Sequence, residues 1–130
     1  MLFTKCILDK IKSSDGVRIS VMSRHTLKDG VTPDKRLDGQ YDHHLKELAP
    51  PSRVVGDYYN RGLPWGEYKE KYIEFLKNPK VQNYVKNLAY MSTKKDITIL
   101  CIEEDSEFCH RRILAEECKK YEPDLHVEHK

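Results

Sequence analysis

Apolar residues recur along this chain with two different periods, which predict strands in some segments and helices in others. Phe3–Leu8 is largely apolar, Val17–Met22 alternates apolar and polar positions, and Ile97–Ile102 is rich in β-branched and aliphatic residues. Runs of this length and composition are typical of strands. Near the C-terminus, Pro123-Asp124 leads into a short fourth candidate strand, Leu125–Glu128.

The long segment between the second and third strands has helical spacing of its apolar residues. It is preceded by a predicted loop, Thr26–Gln40, of a length that in small domains is usually functional or mobile. Prolines and capping residues divide the remainder into separate helices, and one more helix follows the third strand. The predicted helices are Asp42–Leu48, the segment capped by Ser52, Trp65–Lys77, the segment that follows Asn78-Pro79, and the segment that begins near Cys109.

Strands near both ends of the chain with helices between them predict an α/β fold. We expect a mostly parallel central sheet of about four strands, flanked by helices. The length of 130 residues is that of one domain, so residues 1–130 are predicted to form a single domain.

Charge and hydropathy exclude some classes of protein. The 23 basic and 21 acidic residues give a net charge of +2, which does not favour nucleic acid as a partner. No apolar run approaches the ~20 residues that span a bilayer. The N-terminal segment Met1–Leu8 is too short for a signal peptide, and charged residues interrupt it too early. We therefore expect a cytoplasmic protein with reduced thiols and no membrane partner. Nothing in the sequence predicts a particular oligomeric state.

Two of the predicted strands end in polar or reactive side chains. The second strand is followed by Ser23, Arg24 and His25, and the third ends at Cys101 and Glu103. In open parallel sheets, ligands bind beyond the carboxyl ends of the strands. If these two strands are parallel neighbours, both ends open onto one crevice.

The predicted helix after the third strand starts at the same crevice. With Asp105 or Ser106 as its N-cap, Cys109 and His110 would lie in the first turn, where unpaired N–H groups favour a thiolate or a bound anion. Arg111 adds positive charge there. Four acidic residues act in the opposite direction and would raise a thiol pKa: Glu103, Glu104, Asp105 and Glu107.

These residues lead to an interpretation as a catalytic thiol site. Cys109 is the candidate nucleophile, Cys101 lines the pocket, and His25 or His110 moves protons. Adjacent residues of a helix do not face each other, which favours His25 over His110 as the base for Cys109.

The same crevice is predicted to hold a small anionic ligand. The guanidinium groups of Arg24 and Arg111 could clamp a phosphate or carboxylate, with Ser23, Glu103 and Cys101 as further ligand contacts. The leading interpretation is a protein with an anion-accepting, thiol-containing pocket, and the sequence leaves open whether it is an enzyme that acts on a phosphorylated or nucleotide-like ligand.

Other interpretations stay open. Cys109 could be a small packed residue, and each arginine could form a surface ion pair. A non-catalytic module for nucleic acid or nucleotides would use aromatic stacking from residues such as Trp65. A metal-binding protein would use Cys101, Cys109 and His110 with one further ligand. No P-loop, dinucleotide-binding, H-E-x-x-H or zinc-deaminase motif is present, and no cofactor is predicted.

Several of these segments resemble the domain-of-unknown-function 488 family. The resemblance lies in Leu100–Glu103 followed by Cys109–Arg111 and the Ile113–Ala115 helix, in Met22–Arg24, and in Leu48–Ser52 with the aromatic helix from Trp65. A W-x-R-G element that one branch carries after the early strand is replaced here by His25-Thr26-Leu27-Lys28. The resemblance implies an α/β domain and a site at Ser23, Arg24, Cys101, Cys109, His110 and Arg111, and it supplies no substrate.

Overall fold

A computed structural model describes residues 1–27 and 29–130 of the chain. Lys28, which belongs to the predicted loop Thr26–Gln40, lies outside the described residues. The strands are β1 (Leu2–Cys6), β2 (Val17–Ser20), β3 (His43–His44), β4 (Ile97–Cys101) and β5 (Val127–His129). The α-helices are α1 (Ser52–Asn60), α2 (Trp65–Leu76), α3 (Pro79–Lys94) and α4 (His110–Tyr121).

The five strands form one parallel sheet in the order β3-β2-β4-β1-β5. The predicted α/β fold with a parallel sheet is confirmed, with five strands instead of about four. β4 lies between β2 and β1, so the second and third predicted strands are parallel neighbours. Their carboxyl ends therefore meet at one edge of the sheet, as the sequence argument required.

The helix predicted over Asp42–Leu48 is wrong over its first half. His43 and His44 form the short edge strand β3, and the backbone on either side of it pairs with β2 through Asp42 N–H to the Arg18 carbonyl and Leu45 N–H to the Ser20 carbonyl. Only Lys46–Leu48 is helical, as a single 3-10 turn. The pairing with β2 supplies the backbone hydrogen bonds that a helix would otherwise have provided.

The two faces of the sheet are covered by different kinds of structure. On the helix face, alternate side chains such as Leu2, Ile97 and Ile99 pack into a core with buried residues of α2, α3 and α4. On the loop face, Ile7 and Leu100 pack instead against side chains from the connection between β2 and β3. The helix face and the loop face keep these meanings below.

Local signals explain why the long helices begin where they do. The Asn78 side chain accepts a hydrogen bond from Lys80 N–H, and Pro79 occupies the first turn of α3, as predicted. α1 has no buried residue and packs on α2 through Tyr58, whose ring centroid lies 4.6 Å from that of Tyr68 and 5.8 Å from that of Trp65. Within residues 1–27 and 29–130, none of the helices combines the length and apolar character needed to cross a membrane.

A candidate thiol–imidazole site at the carboxyl end of the sheet

The end of β4 and the start of α4 bring three reactive side chains together on the helix face. Cys101 is the last residue of β4, and His110 is the first residue of α4. The sulfur atoms of Cys101 and Cys109 and a ring nitrogen of His110 all lie within 4.8 Å of one another. All three residues are buried, with 5%, 2% and 8% of their surfaces exposed, respectively.

Cys109 occupies the N-cap position of α4, whereas the sequence predicted it in the first turn. Its backbone is extended, with φ −131° and ψ 142°, and its side chain makes no capping hydrogen bond. Asp105 instead caps a separate 3-10 turn, Ser106–Phe108, by accepting from Glu107 N–H. The Cys109 side chain is therefore available to the neighbouring sulfur and to Arg111.

His110 is held in one tautomer by a backbone carbonyl. Its Nε2 lies 2.7 Å from the carbonyl oxygen of Val21, directly after β2. A carbonyl can only accept, so Nε2 carries a hydrogen and the neutral ring has its lone pair on Nδ1. Nδ1 lies 3.7 Å from the Cys101 sulfur, and the ring meets Tyr72 edge-on. His110 thus presents a proton acceptor to Cys101.

Arg111 is a fully buried cation whose hydrogen bonds go to carbonyl oxygens and to sulfur. Its Nη1 donates to the Glu103 carbonyl at 2.6 Å and to the Cys109 sulfur at 3.3 Å, and its Nη2 donates to the Glu104 carbonyl at 3.3 Å. Its Nε is buried without an acceptor, and no carboxylate forms an ion pair with it among the described residues. A buried guanidinium without an anion is strongly unfavourable, so this geometry favours an ionised sulfur beside it.

Of the two thiols, Cys101 has the surroundings that favour the ionised form. A hydrogen bond from the Cys109 S–H lowers the pKa of Cys101 despite burial, and the backbone N–H groups of Glu103 and Ile102 and the charge of Arg111 add to the effect. The same thiol–thiol hydrogen bond, together with burial, raises the pKa of Cys109 well above its ordinary value. The sequence favoured Cys109 as the nucleophile, whereas these contacts favour Cys101.

Two tyrosines, Tyr59 and Tyr68, form a cover beside the sulfurs. The Tyr59 hydroxyl donates to Glu103 Oε1 at 2.5 Å. Burial raises the pKa of both phenols, and negative charge at Cys101 raises it further. Tyr59 is 55% exposed on α1, so this member of the tyrosine cover can move with little loss of packing.

The groove beside this site is separate from the sulfurs. It has a volume of about 490 Å³ and lies between the starts of α2 and α4, with Trp65, Lys69 and Arg112 in its lining. None of the site residues Cys101, Cys109 and His110 lines it. A ligand bound in this groove therefore does not contact the sulfurs directly.

His25 lies on the loop face, separate from the sulfurs. Its Nε2 is 2.7 Å from the Ser20 hydroxyl and its Nδ1 is 3.2 Å from the Tyr41 hydroxyl, while the ring stacks on His44 at 3.9 Å. Burial and the neighbouring His44 lower the pKa of His25. Both ring nitrogens are engaged, and in the described part of the chain neither contacts a cysteine. The sequence preferred His25 as the base, whereas the position beside a sulfur belongs to His110.

The remaining predicted ligand contacts are dispersed. Arg24 is exposed, and its Nη1 would lie 2.8 Å from a Cβ atom added to Gly30, so its guanidinium rests against that loop glycine. Ser23 is half-buried at the end of β2. The structure therefore assembles Cys101, Cys109, His110 and Arg111, with Glu103 at their rim.

The fold and this cluster define a class: α/β proteins with a thiol–imidazole site at the carboxyl end of a parallel sheet. The chain belongs to the domain-of-unknown-function 488 family, because residues 2–122 match the family model DUF488-N3a, described as the active DUF488-N3 subclade. The resemblance read from the sequence is thereby confirmed. No curated protein and no solved structure matches the chain significantly.

Proposed function

We propose that this protein is an enzyme that uses Cys101 as its reactive thiol and His110 as its proton carrier, acting on a small ligand that carries an anionic group. The observation that carries this proposal is the environment of Arg111, a fully buried cation that contacts Cys109 and has no carboxylate partner among the described residues. Such a cation stabilises a thiolate, and a thiolate is the nucleophilic form of cysteine.

The geometry supports a defined sequence of proton and bond changes. The Cys101 S–H proton passes to Nδ1 of His110, 3.7 Å away, while the Val21 carbonyl holds the opposite nitrogen. The thiolate attacks an electrophilic carbon or phosphorus atom of the ligand and forms a bond to it. The bond to the leaving group breaks, and that group departs with the electron pair and takes the proton from His110. Attack by water on the adduct then restores the thiol.

Two cationic groups support a ligand with negative charge. Arg24 is exposed near the end of the strand beside β4 and forms no ion pair in the described part of the chain. The Nε of Arg111 is a buried donor that lacks an acceptor. A phosphorylated or nucleotide-like compound would bring an anionic oxygen to the Arg111 Nε, and the exposed Arg24 would have to turn away from Gly30 to reach the same ligand.

The test is alkylation of the native protein by iodoacetamide at neutral pH, with the modified residues located by mass spectrometry. We expect Cys101 to react first, and His110→Gln to slow its modification because the proton acceptor beside the sulfur is lost. His126→Gln is the matched control, since His126 is exposed and distant from the sulfurs in sequence. Native Cys101 that reacts no faster than Cys118, which lies fully buried in the core, would contradict the proposal.

The ligand class is tested by protection in the same assay. Inorganic phosphate and nucleoside monophosphates should slow modification of Cys101, and Arg24→Gln should weaken that protection without changing the unprotected rate. If all these anions leave the modification rate unchanged, the anionic ligand is excluded while the reactive thiol stands.

A further inference from the structure

The three side chains at the end of β4 also have the donor types and spacing of a metal site. Each offers one soft or borderline ligand atom, and the three atoms lie within 4.8 Å of one another. Each residue is more than nine-tenths buried, so the three donor atoms are held away from bulk water. A cluster of two sulfurs and one imidazole nitrogen is typical of zinc and poorly suited to magnesium or calcium.

The distances agree with tetrahedral coordination. With zinc–sulfur bonds of about 2.3 Å and zinc–nitrogen bonds of about 2.1 Å, two ligand atoms of a tetrahedron lie about 3.6–3.8 Å apart. The Cys101 sulfur and the His110 Nδ1 are 3.7 Å apart. The described donors need only small side-chain adjustments to surround one ion.

The groups that surround these donors are of the kind that support metal ligands in other metalloproteins. A histidine that binds a metal usually donates its other ring N–H to a carbonyl or carboxylate, as His110 does to Val21 at 2.7 Å. Arg111 donates to the Cys109 sulfur at 3.3 Å, which favours this sulfur in the ionised form that binds a metal. The orientation of both ligands is therefore fixed before any ion arrives.

We propose that Cys101, Cys109 and His110 bind one zinc-type divalent ion, with the fourth position open to an anionic oxygen. One Zn²⁺ neutralises two thiolates, which leaves the positive charge of Arg111 to be matched by an anionic fourth ligand. This inference shares the site of the proposed function and names a metal-bound form of it. The thiol chemistry described above belongs to the metal-free form, because zinc would hold the Cys101 sulfur as a ligand.

The experiment is a titration of chelator-treated, reduced protein with Zn²⁺ and separately with Co²⁺. We expect one equivalent to bind, and Co²⁺ to produce the charge-transfer absorption of thiolate ligation. Cys101→Ser and Cys109→Ser should each weaken binding by more than the roughly 10–100-fold that changes in supporting groups produce. Cys6→Ser and Cys118→Ser are matched controls, because both are buried thiols outside the cluster, and they should bind zinc as the wild type does.

A second readout uses the wild-type protein alone, so it does not depend on whether a variant folds. Bound Zn²⁺ should protect Cys101 and Cys109 from alkylation by at least tenfold and leave Cys6 unaffected. Absence of stoichiometric binding, or full binding by Cys101→Ser, would overturn the metal site. If zinc does not bind but Cys101 of the metal-free protein is reactive, only the metal site is rejected. If zinc binds but the thiols of the metal-free protein are unreactive, only the proposed thiol chemistry is rejected.

Discussion

Two buried polar clusters lie on opposite faces of the same sheet, and their charges are arranged in opposite ways. On the loop face, the carboxylate of Asp15 forms ion pairs with Lys5 at 2.9 Å, Arg18 at 2.7 Å and Lys130 at 3.4 Å. It also accepts a hydrogen bond from Lys12 N–H at 3.0 Å. On the helix face, Arg111 has no carboxylate partner among the described residues and contacts sulfur.

This difference separates a cluster that stabilises the fold from one suited to chemistry. In the Asp15 cluster, each buried cation contacts the carboxylate, and the remaining donors of Lys5 and Arg18 reach the backbone carbonyls of Lys10, Gln40 and Ile7. Arg111 has no such carboxylate among the described residues, and we propose that an ionised thiol or a bound anion takes its place. A buried network that depends on a titrating or exchangeable partner is a candidate functional site.

The largest expected effect is on stability, from breaking the Asp15 cluster. Asp15→Asn leaves the buried ammonium of Lys5 and the guanidinium of Arg18 without their anion, so the free energy of unfolding should fall by about 3–5 kcal/mol. Urea denaturation measures the change. Asp9→Asn, an exposed change in the same connection, should stay within about 0.5 kcal/mol. Equal losses in the two variants would remove the contrast between the clusters.

The next effect is on reactivity, from removing the buried cation of the thiol cluster. Arg111→Met takes away the charge beside the sulfurs, so alkylation of Cys101 should slow by about tenfold, the change in thiolate population for one pKa unit. Arg111→Lys keeps the charge and should retain more of the rate. The measurement is the residue-resolved alkylation rate at neutral pH. If Cys101 in Arg111→Met is alkylated at the wild-type rate, Arg111 has only a structural role through its hydrogen bonds to the Glu103 and Glu104 carbonyls.

A smaller effect is expected from opening the tyrosine cover. Tyr59→Phe removes the hydrogen bond to Glu103 while keeping the ring, so alkylation of Cys101 should accelerate several-fold. Tyr90→Phe serves as the control, because Tyr90 is similarly exposed on α3 and its hydroxyl makes no hydrogen bond among the described residues. A slower reaction in Tyr59→Phe would mean that the hydroxyl assists the thiol and does not shield it.

The smallest effect is the pH dependence that His25 contributes. Burial lowers its pKa in the folded protein, so below the ordinary value of about 6.5 the unfolded chain binds the proton more readily. The contribution of His25 to the free energy of unfolding is therefore fully present above about pH 6.5 and is lost as the pH falls below that value. His25→Gln should flatten the decline in unfolding free energy between about pH 7 and 5.5. His129, whose pKa burial also lowers, contributes the same sign and remains in the variant.

Much of the fold was predictable because long segments carry a clear period. α2 and α3 were predicted from apolar spacing and from the Asn78-Pro79 cap, and β2 and β4 from their apolar and β-branched runs. β3 was missed because a strand of two histidines is too short to show alternation. The two residues are polar, as is common in an edge strand with one face in solvent, and the spacing of polar and apolar residues alone predicts a solvent-exposed helix there.

The sequence predicted that the polar ends of β2 and β4 lie at one edge of the sheet, which the parallel pairing of the two strands confirms. It did not predict which histidine lies beside which sulfur. Which histidine meets which sulfur depends on the angle of α4 over β4 and on the face that each side chain takes, and neither follows from spacing. His25 belongs to the loop face because it bonds to Ser20, whose side chain points opposite to that of Ile19.

We expect the surroundings of Cys101, and not its position at a strand end, to make its sulfur reactive. Cys6 on β1 lies opposite Cys101 in the sheet and is similarly buried, with 3% of its surface exposed compared with 5% for Cys101. The Cys6 S–H, however, donates to the Ile102 carbonyl. The direct measurement is the ratio of alkylation rates of Cys101 and Cys6 in one metal-free native sample. We predict a ratio of about ten or more, because Cys101 has the proton acceptor His110 beside it whereas Cys6 faces a backbone carbonyl. A ratio near one would contradict the account.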